Sequence, residues 1–179
     1  GSAYLSRTVP ELEAVSLPFV YADREAAFRV IDGTAGDLLD EKLAVKGFVS
    51  LGWMELGSRN MTNSVRAIET VEDFAGLKIR LQPNETHLNT FRAIGASPVS
   101  MGISEVYAAL QQGVLDGQEN PNAIIASRNF NEVQTHLSDS NHFFDYIVLV
   151  ANKRNFESLS DEHQAAVRDA AAEAIAWQR

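Results

Sequence analysis

The chain has 179 residues, of which 45% are hydrophobic, so it is long enough to bury the core of one domain. Its formal net charge of −9 argues against nucleic-acid binding, which requires basic patches on the protein surface. The sequence contains no cysteine, which excludes disulfides, a thiol nucleophile and a thiolate metal site.

The first third of the chain predicts two helices and a strand. Asp23 is a suitable N-cap for the first helix, and residues 48–52 read as a buried strand after the second. The apolar positions that mark these two helices are Ala27, Phe28, Ile31, Leu38, Leu39 and Leu43. Thr70 with Asp73 then forms a capping box for a single helical turn.

Residues 77–82 predict a half-buried strand with an arginine on its polar face. Apolar and polar residues alternate strictly here, and Pro83 ends the strand because proline cannot donate to the ladder. Arg80 therefore lies near a strand end, where its guanidinium can hold a carboxylate through two parallel hydrogen bonds. The alternative is a surface arginine paired with an acidic side chain.

Three strands in succession are predicted to lead into helices. Asn84 is the expected N-cap of the first helix and Ser104 that of the second. Asn120 and Pro121 mark a third helix entry, where Asn120 either caps the helix or turns its amide toward a ligand. Ligands in open α/β sheets bind where strand ends and helix starts converge. Residues 76–121 therefore predict one wall of an anion-binding cleft.

The carboxyl-terminal part predicts a strand at residues 146–151 and a terminal helix capped by Ser160. The apolar stripe expected to be buried on that helix is Val167, Ala170, Ala171, Ala174 and Ile175. The longest apolar run of the sequence lies in this strand and is far too short to span a bilayer.

Four motifs occur in an order and spacing that resemble one protein family. They are Gly76-Leu77-Lys78-Ile79-Arg80, Gly95-Ala96-Ser97-Pro98, Ser104-Glu105-Val106-Tyr107-Ala108-Ala109-Leu110-Gln111 and Asp116-Gly117-Gln118-Glu119-Asn120-Pro121. Two upstream stretches also resemble it, namely Ser16-Leu17-Pro18-Phe19-Val20-Tyr21 and Arg59-Asn60-Met61-Thr62-Asn63. Over essentially its whole length the chain is similar to the solute-binding proteins of tripartite ATP-independent periplasmic (TRAP) transporters, the DctP family.

This resemblance implies a periplasmic receptor, without cofactor, metal or catalytic residues. Such a receptor binds a small organic acid and delivers it to TRAP membrane permease subunits. The implied fold is α/β and two-lobed, like periplasmic binding proteins of the Venus flytrap type II, with mixed, mostly parallel sheets flanked by helices. The two lobes are expected to close around the ligand at a hinge.

The resemblance also implies which residues bind the ligand. The arginine matching Arg80 forms the salt bridge to the ligand carboxylate, while those matching Asn120 and Arg59 line the site. Ile103 stands where the family commonly presents a ring or apolar side chain. Because Arg59, Arg80, Asn84 and Asn120 offer several polar groups for hydroxyls, a sugar acid is the first expectation and a C4-dicarboxylate the second.

By the same analogy, residues 1–56 form part of the first lobe, residues 57–145 the second lobe, and residues 146–179 a strand and helix that return to the first. Family members begin ahead of Ala3 and continue beyond Arg179, so we expect the chain to be an incomplete, truncated version of the family pattern. Sheet edges and apolar surface exposed in this way predict possible self-association.

Two alternatives are a small α/β enzyme acting on an organic acid and a two-lobe ligand-sensing domain. Against catalysis, the sequence has no Gly-x-Ser-x-Gly elbow and no phosphate-binding Gly-rich loop. The histidines lack metal-site spacing and are scattered at His87, His136, His142 and His163. Glu105, Asp116 and Glu119 are candidate general bases only if they are buried in the cleft.

Overall fold

The computed structural model describes residues 1–179 and divides into two compact units. The first unit comprises residues 1–14, 21–56 and 145–179, and the second comprises residues 15–20 and 57–144. The helices are α1 (Ser2–Leu5), α2 (Arg24–Ile31), α3 (Thr34–Val45), α4 (Glu85–Ala93), α5 (Ile103–Gln111), α6 (Asn122–Ser127), α7 (Lys153–Glu157) and α8 (Asp161–Gln178). The strands are β1 (Phe48–Asn63), β2 (Lys78–Leu81), β3 (Ser97–Ser100), β4 (Gly117–Pro121) and β5 (His136–Asn152). Short 3₁₀ turns lie at Pro10–Val15, Val71–Phe74 and Phe130–Glu132.

The five strands are ordered β3-β2-β4-β1-β5. β2 pairs in parallel with both β3 and β4, and β1 pairs antiparallel with β4. The residues of β1 and of β5 are divided between the two units, since each strand is long enough to belong to both. The predicted α/β class with a mixed sheet is therefore confirmed.

The core of the first unit is built around Tyr146. Its ring makes edge-to-face contacts with Tyr21, Phe28 and Trp53, each at a centroid distance of 6.1 Å. Its hydroxyl donates a hydrogen bond to the carbonyl oxygen of Ala27 at 2.8 Å. One aromatic side chain thus joins α2 to both long strands.

The two helices predicted in the first third of the chain are confirmed as α2 and α3. Asp23 caps α2 by accepting a hydrogen bond from the Ala26 N–H at 2.6 Å. Leu39 and Leu43 are buried in α3, but Leu38 is 53% exposed. Leu38 lies about 100° around the helix from Leu39, outside the narrow face that packs.

The terminal helix α8 begins as predicted, with the Ser160 hydroxyl accepting a hydrogen bond from the His163 N–H at 3.3 Å. Of its predicted apolar stripe only Ala171 is buried, and Ala171 is also the only buried residue of the helix. Val167 is 37% exposed and Trp177 is 88% exposed. The helix therefore packs along one narrow line and leaves most of its apolar surface open.

Both long strands exceed their predicted lengths. β1 continues past Gly52, which takes a positive φ of 125°, and its residues 48–52 are half-buried rather than buried. Glycine tolerates this φ, so the strand does not end where the sequence suggested. β5 begins at His136 instead of Tyr146. Its first residues are mostly serine, aspartate and asparagine, which are typical of turns but are here held in a strand.

The second unit contains two hydrophobic clusters. One packs around α4 and consists of Met61, Phe74, Leu77, Ile79, Leu81, Leu88, Phe91, Ala96 and Phe143. The other packs around α5 and consists of Val106, Ala109, Leu110, Leu115, Ile125 and Phe130. The predicted capping box is confirmed, since the Asp73 carboxylate accepts a hydrogen bond from the Thr70 N–H at 2.8 Å.

Candidate functional site

The carboxyl ends of β2, β3 and β4 lie at one edge of the sheet, and each strand leads into a helix. β2 leads to α4, β3 to α5 and β4 to α6, as the sequence predicted. Because β2 is parallel to both neighbours, the starts of these helices converge at the same edge. The N-terminal ends of α4 and α5 carry partial positive charge, which favours an anion there.

Arg80 is buried in β2, with 1% of its surface exposed. Its Nε donates a hydrogen bond to the carbonyl oxygen of Met101, in the connection between β3 and α5, at 2.8 Å. Gln82 is also buried, so the prediction of a strand with only one buried face is wrong. β2 has paired strands on both sides, and at Arg80 and Gln82 its polar face is covered as well as its apolar one. This burial excludes the alternative of a solvated surface arginine.

Arg80 shares a face of the sheet with Gln118 and Asn120. The register pairs Arg80 with Gln118 across β2 and β4. Side chains two residues apart along a strand point the same way, so Asn120 lies on this face one step nearer the carboxyl end. The structure therefore brings two of the predicted ligand-binding residues to one face and one edge.

Asn120 belongs to β4 and does not cap a helix. Helix α6 begins two residues later, with Pro121 at its N-cap, because the antiparallel pairing of Asn120 with Asn60 keeps it in the strand. The interpretation of Asn120 as a cap is therefore wrong. Its Oδ1 accepts a hydrogen bond from Arg59 Nη2 at 3.1 Å, and its Nδ2 donates to Gln118 Oε1 at 2.6 Å. Both ends of the amide are held.

Arg59 and Glu119 form a buried ion pair, with exposed side-chain fractions of 1% and 0%. Arg59 Nε donates to one carboxylate oxygen of Glu119. Arg59 Nη2 donates to the other carboxylate oxygen and to the Glu119 carbonyl oxygen, each at 2.8 Å. This bidentate geometry gives the strongest kind of arginine–carboxylate contact. The ligand contact expected of Arg59 stays a prediction.

His142 completes the surroundings of the Glu119 carboxylate. Its Nε2 lies 3.3 Å from Glu119 Oε2, and its Nδ1 lies 2.7 Å from the Ser140 hydroxyl. Burial alone raises the pKa of the Glu119 carboxyl, but the charge of Arg59 and hydrogen bonds with His142 and Arg59 outweigh it and hold that pKa well below its usual range. Glu119 therefore has a low affinity for a proton, which makes it a poor general base at neutral pH.

Asn84 and Ile103 lie at helix starts on the same edge of the sheet. Asn84 is confirmed as the N-cap of α4, where its Oδ1 accepts a hydrogen bond from the His87 N–H at 2.9 Å. Ile103 is the first residue of α5 and packs half-buried against the cluster around that helix. Ser104 was wrongly predicted as the cap, because Gly102 holds that position. Ligand contacts of Asn84 and Ile103 stay predictions.

Sequence reasoning overlooked Gln118 and His142, and it named Glu119 only as a conditional base. Gln118 and Glu119 lie in a run of buried polar residues, which no apolar periodicity could have marked as a strand. The available signal was Gly117. A Cβ there would lie 2.2 Å from the Thr62 carbonyl oxygen, so the position requires glycine.

The structure contains no helix that is both long enough and apolar enough to cross a bilayer. No group of three or more histidine, aspartate or glutamate side chains is placed to hold a metal ion.

Comparison with known proteins gives a match over the whole chain. The profile of the family described as "Bacterial extracellular solute-binding protein, family 7" (DctP) matches residues 1–179. A TRAP periplasmic solute-binding protein from Polaromonas sp. JS666, solved with bound D-erythronate, has a TM-score of 0.96 and 40% sequence identity. That match covers 99% of this chain and 59% of the Polaromonas chain.

Two curated relatives show a similar degree of identity. The 2,3-diketo-L-gulonate-binding periplasmic protein YiaO of Escherichia coli K12 is 36% identical over 179 residues, which are 100% of this chain and 55% of the relative. The C4-dicarboxylate-binding periplasmic protein DctP of Rhodobacter capsulatus is 36% identical over 165 residues, which are 92% of this chain and 49% of the relative. The chain thus spans about half the length of these relatives.

Proposed function

Because the chain belongs to the DctP family of bacterial extracellular solute-binding proteins, we propose that it is a periplasmic receptor for a small organic acid. The receptor binds the acid through its carboxylate and presents it to the membrane subunits of a TRAP transporter for uptake. Its family and its structural neighbours are binding proteins, which favours a receptor over an enzyme.

The observation that carries this proposal is the placement of Arg80 and Asn120 on one face, at the carboxyl ends of adjacent parallel strands. A guanidinium binds a carboxylate through two parallel hydrogen bonds, and an amide N–H beside it adds a further donor. The N-terminal ends of α4 and α5 lie at the same edge and favour the same negative charge. These features suit an anion held away from bulk water.

We propose a sugar acid as the ligand, with a C4-dicarboxylate as the second candidate. Buried polar side chains at this edge, such as Asn84 and Gln118, provide donors and acceptors for hydroxyl groups. The Polaromonas relative holds D-erythronate, and the E. coli relative is named for 2,3-diketo-L-gulonate, whereas the Rhodobacter relative is named for C4-dicarboxylates. In this proposal Arg59 and Ile103 also line the site, and residues 57–145 form the lobe that carries it.

The geometry gives little support to an enzyme. Of the three candidate bases, Glu119 is ionised and paired with Arg59. Asp116 accepts a hydrogen bond from the Lys78 N–H at 2.7 Å, which ties it to the start of β2. Glu105 is exposed in the first turn of α5. Only Glu119 is buried, and Arg59 holds its pKa well below the usual range, whereas a general base at neutral pH needs a raised one.

Replacement of Arg80 tests the proposal. Arg80→Ala in the native protein should weaken acid binding by about 2–5 kcal/mol, or about 30- to 5,000-fold, because one partner of a desolvated charge pair is lost. Arg80→Lys should recover only part of this loss, since an ammonium lacks the planar fork. A thermal-shift screen that includes D-erythronate and succinate identifies the acid, and calorimetry then measures its affinity.

The matched control is Arg128→Ala, which removes an exposed guanidinium at the carboxyl end of α6. Its affinity should equal that of the parent protein. An Arg80→Ala protein that melts like the parent and binds the acid within about threefold of it would remove Arg80 from the site.

A further inference from the structure

We propose that Glu119 is a positioning residue for the acid-binding site, acting through Arg59 to hold the amide of Asn120 as a donor toward the ligand. This inference rests on the proposed function, because it concerns the same site. It assigns Glu119 no contact with the ligand itself.

The first step is the orientation of the Asn120 amide, which has an acceptor end and a donor end. Arg59 carries only donors, so it selects the oxygen, Oδ1, which lies 3.1 Å from Nη2. The nitrogen, Nδ2, then lies 2.6 Å from Gln118 Oε1. A flipped amide would place two donors against each other at Arg59 and two acceptors against each other at Gln118.

The hydrogen bonds beyond Asn120 run in the same direction. Gln118 Nε2 donates to Thr62 Oγ1 at 2.9 Å, and Thr62 Oγ1 donates to Gln134 Oε1 at 3.0 Å. Gln134 Nε2 in turn donates to Ser64 Oγ at 3.0 Å. The orientation of the Asn120 amide that Arg59 selects is therefore consistent with every hydrogen bond from Asn120 to Ser64. An amide nitrogen has two N–H groups, so Asn120 can give one to Gln118 and offer the other to a carboxylate or hydroxyl oxygen.

The second step is the position of the Arg59 guanidinium, which Glu119 fixes. The carboxylate accepts from both Nε and Nη2, and the same Nη2 reaches Asn120. Both partners are buried, so this contact is not weakened by water. Without the Glu119 charge, Arg59 would keep its contact with the carbonyl oxygen of residue 119 but lose the paired carboxylate contacts at Nε and Nη2, and the Asn120 amide would be held less firmly in one orientation.

A buried ion pair can also serve stability alone, and two measurements separate the roles. The first uses the ligand-free protein and follows the side-chain NH₂ signal of Asn120 by NMR, identified by its loss in Asn120→Asp. In Glu119→Gln this NH₂ should exchange with solvent about tenfold faster than in the parent, because it is no longer held. Glu173→Gln, which removes an exposed carboxylate from α8, should leave it unchanged. An unchanged rate in Glu119→Gln would overturn the proposal.

The second measurement is a double-mutant cycle by calorimetry with D-erythronate. Glu119→Gln should weaken binding about 10- to 100-fold in the parent, but by less than about twofold in an Asn120→Ala background, since the residue through which it acts is then missing. Equal losses in both backgrounds would mean that Glu119 acts by another route. If Glu119→Gln does not fold, Glu119→Asp replaces it, because aspartate keeps the charge but its shorter side chain cannot hold both Nε and Nη2 of Arg59 as glutamate does.

The two proposals fail in different ways. A parent protein that binds neither D-erythronate nor any other acid of the screen contradicts the proposed function. The exchange rate of the Asn120 NH₂ still decides the positioning role in that case, because it is measured without ligand.

Discussion

Glu119 is a fully buried carboxylate whose pKa lies well below its ordinary value of 4.5. Because of this depressed pKa, the Glu119 carboxyl stays ionised in mild acid in the folded protein, whereas in the unfolded chain it takes up a proton. The stability that this group contributes is therefore fully present above about pH 4.5 and is lost as the pH falls toward the folded-state pKa.

Glu119→Gln should accordingly flatten the acid side of the stability profile. Below pH 4.5 the free energy of unfolding of the parent should fall through this single group by up to about 1.4 kcal/mol per pH unit, and the variant should lack that contribution. Near neutral pH the variant should be less stable by a constant amount, because Arg59 is left buried beside a neutral amide. Urea unfolding at several pH values between 3 and 8 measures both effects.

The exposed Glu173→Gln is the control, and its profile should run parallel to that of the parent. Parallel profiles for Glu119→Gln and the parent below pH 4.5 would contradict this prediction. They would show that the pKa of the Glu119 carboxyl is the same in the folded and unfolded states.

The pairing of β1 with β4 depends on Gly117, at the start of β4. Its backbone partner is Asn63, and a Cβ at Gly117 would lie 2.2 Å from the Thr62 carbonyl oxygen and 2.9 Å from the Asn63 Cβ. Gly117→Ala should therefore destabilise the protein by about 1–3 kcal/mol, because backbone atoms rather than flexible side-chain ends must move. Denaturant unfolding measures the change.

Gly102→Ala is the matched control, because a Cβ at Gly102 would meet nothing within 4 Å. It should cost no more than about 1 kcal/mol, the loss expected when alanine replaces glycine at the N-cap of α5. Equal stabilities of the two alanine variants would mean that β1 and β4 are further apart at Gly117 than the structure shows.

The whole molecule combines a net charge of −9 with several exposed apolar side chains. Trp177 is 88% exposed, Val45 81% and Phe19 71%. Exposed apolar surface favours association, whereas like net charge opposes it. We therefore expect the chain to self-associate more strongly as salt is raised and as the pH approaches its pI of about 4.9.

Gel filtration with light scattering measures this association, and Trp177→Gln should shift the distribution toward the mass of one chain, 19.6 kDa. The exposed polar change Glu173→Gln should not reduce the association. A mass of 19.6 kDa at every salt concentration and protein concentration tested would contradict the prediction.

Local sequence determined the features that depend on a few neighbouring residues. The caps at Asp23, Asn84 and Ser160 were predictable because each side chain bonds a backbone N–H three residues ahead. The three strand–helix passages were predictable in the same way, and together with the motif resemblance they identified the α/β class and the edge where Arg80 lies.

Tertiary structure decided the features that depend on residues far apart in the chain. Arg59 and Glu119 are separated by 60 positions, and the residues around each of them give no local pattern from which the ion pair could be predicted. Asn120 looked like a helix cap because asparagine before proline is a typical helix entry, yet its pairing with Asn60 keeps it in a strand. Sequence by itself determined which polar residues stand near the strand ends. Only the long-range pairing of β1, β2 and β4 determined which of those residues are buried, which face they share and which groups hold them, because these contacts require the strands to be assembled.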